Sequence, residues 1–166
     1  KALNRPFSFI TLGGATDGSY LEGHSYTWEG SMCGRIISIL KETKCMNPVI
    51  YFDEVDKISQ THHGKEIIGI LTHLTDTSQN NEFHDKYYSG VDFDLSKALF
   101  IFSFNDENNV DPILKDRMTI VKIKEFKINE KIEISEKYII PKTLNNIGFK
   151  EEDIMFDSEI IKYIIN

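Results

Sequence analysis

Cysteine is scarce: the 166 residues contain only Cys33 and Cys45. They lie too far apart for a CxxC pair and are too few for a disulfide framework. Free thiols in a reducing compartment follow, and the expected location is cytoplasmic. No apolar run approaches the ~20 residues of a membrane-spanning helix, so no membrane partner is expected. The histidines His24, His62, His63, His73 and His84 show neither HExxH nor finger spacing, which argues against zinc. Positive charge is also short, with 19 Lys and Arg against 26 Asp and Glu, a net charge of -7 and a pI of about 5.2. Domains whose main task is gripping nucleic acid usually carry a basic face, so no nucleic-acid partner is expected. There is no initiating methionine and no signal peptide; KALNRPFSFI reads as mid-protein sequence.

What is present is enough for a packed core: hydrophobic residues make up 40% and aromatics 11%. Pro6 to Leu12 reads as a strand closed by Gly13-Gly14. Residues 13–31 are rich in Gly, Ser and Thr and read as loop. Met32 to Thr43 places Ile36, Ile37, Ile39 and Leu40 on one broad helical face. Asn47-Pro48 breaks the chain before an apolar strand, Val49 to Phe52. A helix is expected over Lys65 to Leu74, a polar stretch over Thr75 to Asp94, and an apolar strand over Lys97 to Asn105. Asp111-Pro112 opens a short helix, with Asp as N-cap and Pro at the first position. Thr119 to Phe126 alternates as a strand, and from Asn129 the pattern is helical. Strands alternating with helices suggest parallel βαβ units. The near-continuous apolar runs at 49–52 and 97–104 suggest a sheet covered on both faces.

The stretch VIYFDEVDKIS, Val49 to Ser59, runs four apolar residues into Asp53 and Glu54. Ligands in parallel sheets sit outside the carboxyl ends of strands. A carboxylate at a strand tip is a hard oxygen ligand for Mg²⁺, here Asp53. The next carboxylate, Glu54, can polarise an attacking water. Asn105 ends a neighbouring strand and can orient that water. The plain alternative is two solvated acids at a strand end. Arg117, at a helix end, either reaches across a subunit boundary to a phosphoryl group or makes a local salt bridge with Asp116 or Asp111. Trp28, the only tryptophan, lies in a polar loop beside Glu29. It is either packed down, the commoner case, or displayed for contact.

Taken together and in order, these blocks resemble the AAA+ ATPase segment of the Lon family of ATP-dependent proteases. RPFSFITLGGATDGSYLEGHSYTWEGSMCGRIISIL carries the LGG, the GH-x-x-T-aromatic and the G-x-M-x-G-basic-I-I of that family. NPVIYFDEVDKIS matches its Walker B block. NNEFHDKYYSGVDFDLSKALFIFSFN matches its second pore-loop region and sensor-1 strand, DPILKDRMTIVKI its arginine-finger block and KYIIPK the start of its small helical domain. The resemblance implies an α/β fold: an AAA+ P-loop ATPase core over 1–126, a parallel sheet flanked by helices. The start of an all-α small domain follows over 127–166. It implies ATP and Mg²⁺ as cofactors, with Asp53 holding the metal, Glu54 activating water, Asn105 as the sensor-1 residue and Arg117 as the arginine finger. Trp28 falls at the aromatic of the substrate-gripping pore loop, and Glu29 replaces its usual aliphatic neighbour. Cys33 replaces the usual proline of M-P-G. The implied partners are protein substrates and further copies of the chain in a hexameric ring.

No G-x-x-x-x-G-K-[ST] occurs in the sequence. The resemblance therefore implies a sheet missing its P-loop strand, and a piece expected to fold poorly alone, without tight phosphate binding or peptide cleavage of its own. The leading expectation is the ATP-driven unfoldase part of a Lon-type protease that feeds substrates into a proteolytic chamber. A degenerate binding or scaffold fragment is the second, and an AAA+ protein of another branch, such as a clamp or helicase loader, the third.

Overall fold

The computed structural model describes residues 3–13, 15, 17–27, 29–58, 62–150 and 152–165. Along the chain, β1 (Phe7–Thr11) is followed by a short α1 (Ser19–Glu22) and by α2 (Arg35–Thr43). Then come β2 (Val49–Asp53), a single 3₁₀ turn (Val55–Lys57) and α3 (His62–Thr75). A small antiparallel hairpin, β3 (Phe83–His84) with β4 (Asp92–Phe93), precedes β5 (Leu99–Phe102). A 3₁₀ turn (Glu107–Asn109) and α4 (Pro112–Lys115) follow. The strands β1, β2 and β5 form one parallel sheet in that spatial order, with Thr11 beside Asp53 and Phe52 beside Phe102. Helical crossovers are what parallel neighbours require.

One face of this sheet makes the core. Ile10, Ile50 and Phe52 are fully buried against Ile36, Ile37 and Ile39 of α2 and Ile67, Leu71 and Leu74 of α3. Each such side chain contributes roughly 1.5–3 kcal/mol by leaving water. Phe52 and Phe102 stack with centroids 5.1 Å apart. The opposite face differs from the sequence expectation of a sheet covered on both sides. Phe7 and Phe9 are exposed, as are Leu99 and Ile101 of β5. The buried residues of the crossing helices α2 and α3 join the cluster on the other face; on this one Val49 is buried, and Phe7 and Phe9 lie against the Tyr51 ring.

Three other segments depart from the sequence reading. The loop region 13–31 contains α1, whose Leu21 is fully buried. The polar stretch 75–94 contains the β3–β4 hairpin, which pairs Phe83 with Phe93. Residues 119–126, expected as a strand, have no regular structure. A strand needs a neighbouring strand for its backbone donors and acceptors, and neither sheet among the described residues includes this stretch. Val121 and Ile123 are 79% and 89% exposed.

The chain divides into two units, at Thr119/Ile120. In the second, α5 (Ile128–Ile134) passes through a π turn (Ser135–Ile139) into α6 (Ile140–Ile147), and α7 (Ser158–Ile165) packs against α5. Pro141 lacks a backbone donor, and a break in hydrogen-bond register just before it is where such a turn fits. Gly148 ends α6 at φ 83°, with Phe149 N donating to Leu144 O at 2.9 Å. Leu144 and Ile161 form this unit's buried centre.

Candidate functional site

The site grows from the carboxyl end of β2. Sheet pairing carries past the strand tips: Leu12 N donates to Asp53 O at 3.0 Å, Ser103 N to Phe52 O at 2.9 Å and Val55 N to Ser103 O at 3.1 Å. Asp53 is thereby fixed between two neighbours. Its carboxylate is half-buried, and its Oδ1 accepts a hydrogen bond from the Ser103 hydroxyl.

Glu54 then leaves the strand in the left-handed conformation, φ 59° and ψ 44°. That costs a non-glycine residue on the order of 1–2 kcal/mol, a cost typical of functional sites. The turn places the carboxylate over Gly13, where a Cβ would overlap Glu54 Oε2. A glycine at this loop is what leaves room for the acid. Lys57 N donates to Glu54 O at 2.9 Å and closes the turn.

Asp56 points back into the protein and is only 7% exposed. Its Oδ2 accepts from the backbone N–H of Asn105 at 3.2 Å and of Asp106 at 3.1 Å. Its Oδ1 has no partner among the described residues. One buried carboxylate thus ties the turn after β2 to the turn after β5, and leaves Asn105 exposed at the same edge as Asp53 and Glu54. The fold brings these three expected site residues together. Sequence reasoning assigned no role to Asp56 or Ser103. An acid directly after the buried Val55 was the one available signal.

Arg117 is held elsewhere. Its Nη1 lies 2.6 Å from Asp76 Oδ2, just past the end of α3. The expected local partners were Asp116 or Asp111, but Asp111 is engaged as the N-cap of α4, accepting from Ile113 N at 2.9 Å and Leu114 N at 3.3 Å. Hydrogen bonds from Ser78, and then the Arg117 guanidinium, hold the Asp76 carboxyl at about 2. Trp28 lies outside the described residues, and Glu29 beside it is exposed.

The loop that contains them is stapled at its base. His24 N donates to Met32 O at 3.1 Å. The fully buried Asp85 accepts from Gly34 N at 2.8 Å and from Tyr87 N at 2.9 Å, and Lys86 N donates to Glu22 O at 2.7 Å. A side chain on Gly34 would collide with the Leu21 carbonyl, so the chain crosses there at backbone contact.

The donor set at the sheet edge fits Mg²⁺. Asp53 offers one hard carboxylate with an oxygen beyond the Ser103 bond, and Mg²⁺ takes one or two protein carboxylates and otherwise keeps waters and phosphate oxygens.

Residues 1–125 match the model of the ATPase family associated with various cellular activities (AAA). The chain is 40% identical to a Lon protease homolog of Acanthamoeba polyphaga mimivirus over 165 residues, covering 99% of this chain and 16% of that protein. It is 39% identical to a Lon protease of Campylobacter concisus over 166 residues, 100% of this chain and 20% of the relative. A Lon protease of Cytophaga hutchinsonii is 42% identical over 165 residues, 99% of this chain and 20% of the relative. The chain therefore spans a fifth or less of the length of these curated relatives.

Proposed function

The chain belongs to the AAA family of ATPases, and on that premise we propose that it is the ATPase segment of a Lon-type ATP-dependent protease. In this reading ATP hydrolysis drives protein substrates, unfolded, towards a proteolytic chamber. Residues 1–126 are its α/β part and 127–166 the beginning of its helical small subdomain. The observation that carries the reading is Glu54: a strained left-handed residue whose carboxylate is cleared by Gly13 and stands next to a strand-tip Asp53.

Asp53 would hold Mg²⁺ beside the nucleotide, and the ion would supply positive charge against the negative charge that develops on the phosphates. Glu54 accepts the proton of the attacking water as its oxygen bonds to the terminal phosphorus and the bond from that phosphorus to the bridging oxygen breaks, releasing ADP with the electron pair. The Asn105 side chain, set by the Asp56 grip on its backbone, donates a hydrogen bond that orients that water. Arg117 acts on the neighbouring subunit's nucleotide after exchanging Asp76 for a phosphate oxygen. This requires a homo-oligomer, a hexameric ring in this reading. Trp28 and Glu29 belong to the loop that grips substrate. The setting is the cytoplasm, without a nucleic-acid partner; among the described residues no helix is long and apolar enough to cross a membrane.

The test is Glu54→Gln in the full-length protein. ATP binding is expected to persist while hydrolysis falls by about 10²–10⁴-fold, the contribution of a positioned general base. Hydrolysis at the normal rate would overturn the mechanism. Failure of the unsubstituted protein to hydrolyse ATP would favour a binding or scaffold role.

A further inference from the structure

The first turn of α3 carries two adjacent histidines and a glutamate that the ATPase reading does not use. His62 Nδ1 lies 3.3 Å from Glu66 Oε1, and His63 Nδ1 lies 3.8 Å from Glu66 Oε2. Each carboxylate oxygen thus faces one imidazole, and ligand atoms from all three side chains lie within 4.8 Å of one another. The two rings stand edge to face, 6.0 Å between centroids. A tetrahedral Zn²⁺ with bonds of about 2.0–2.1 Å spaces its ligands by roughly 3.3 Å. One pair already has that spacing, and side-chain rotation brings in the third. All three residues are exposed, so that rotation meets little steric resistance.

Gly18 packs over the Glu66 stem so closely that a Cβ there would come within 3.4 Å of Glu66 Cβ and 2.9 Å of Ile70 Cδ1.

We infer that His62, His63 and Glu66 form a site for a divalent transition metal of the Zn²⁺, Ni²⁺ and Cu²⁺ class. Two imidazoles select these ions over Mg²⁺, which prefers oxygen donors. The site is therefore separate from Asp53 in chemistry as well as in sequence, and its occupancy does not depend on ATP hydrolysis.

The test is titration of the full chain with Co²⁺, read by its d–d absorption, and with Zn²⁺ by calorimetry, both in excess Mg²⁺. One saturable ion per chain is expected, lost in the double variant His62→Ala/His63→Ala. It should weaken tenfold or more in Glu66→Gln and persist in His24→Ala. The changed residues are exposed, and an unaltered far-UV circular dichroism spectrum checks that the variants still fold. Absence of a saturable site, or its retention in the double histidine variant, overturns the assignment. Unchanged affinity in Glu66→Gln overturns the three-ligand set.

Discussion

Asp56 offers the sharpest energetic test, because its two carboxylate oxygens are in such different positions. Oδ2 accepts from Asn105 N at 3.2 Å and Asp106 N at 3.1 Å, while Oδ1 is buried without a partner among the described residues. Asp56→Ala leaves both donors unpaired. Hydrogen bonds to a charged group contribute about 1.5–3 kcal/mol each, and part-buried donors belong at the low end. Against this loss of about 3 kcal/mol, alanine returns the desolvation of an unpaired polar oxygen, on the order of 1 kcal/mol. The net destabilisation is about 2 kcal/mol. Asp56→Asn keeps one acceptor oxygen for the same donors and removes the buried charge, so it should cost about 1 kcal/mol or less. Urea unfolding of the full-length protein measures both from shifts in midpoint at constant m value. ATP hydrolysis, assayed alongside under conditions where the variant remains folded, should fall in Asp56→Ala because Asn105 loses its backbone anchor. Two results would refute the reasoning: Asp56→Ala within ~0.5 kcal/mol of the parent, the range of an ordinary surface change, or Asn proving as damaging as Ala.

Two further outcomes follow from the same geometry. Gly13→Ala places a Cβ against Glu54 Oε2, the far end of a flexible side chain. Stability should change by less than about 1 kcal/mol while hydrolysis drops, and a normal rate would show that Glu54 need not stand there. Asp76, at about 2 in the fold against 3.8 ordinarily, contributes stability that is complete above the ordinary value and is lost as pH falls through about 2. Ser78→Ala, which removes the hydroxyl bond, and Arg117→Ala, which removes the guanidinium, should each raise the Asp76 titration point seen by carboxyl NMR; an unchanged value in both would refute these causes.

Periodicity made β2, α2 and α3 legible, because their apolar spacing is itself the burial pattern. The pair Asp53-Glu54 stood out because a charge at the end of a buried apolar strand is costly unless something pairs with it. Asp111-Pro112 was equally plain, since N-capping is decided within a few residues. What stayed hidden depends on distant partners. The use of Asp56 to hold Asn105 and Asp106 joins residues about fifty positions apart, as the choice of Asp76 by Arg117 joins residues about forty apart. Residues 119–126 alternate like a strand, yet alternation states only what a strand would bury; pairing has to come from a neighbour. Two-residue strands such as β3 and β4 have too few positions to show any period.

The staple under the 24–32 loop has a mechanical consequence. The bonds at its base join backbone to backbone, or backbone to the buried Asp85 carboxylate, with no exposed side chain between. A pull on the loop tip therefore has little slack to take up. It loads Gly34, the first rung of α2, and the 85–87 segment together, and the bonds share the force rather than failing in turn. Moving the base of the loop therefore means breaking these bonds or shifting Gly34, the N-cap of α2, with it.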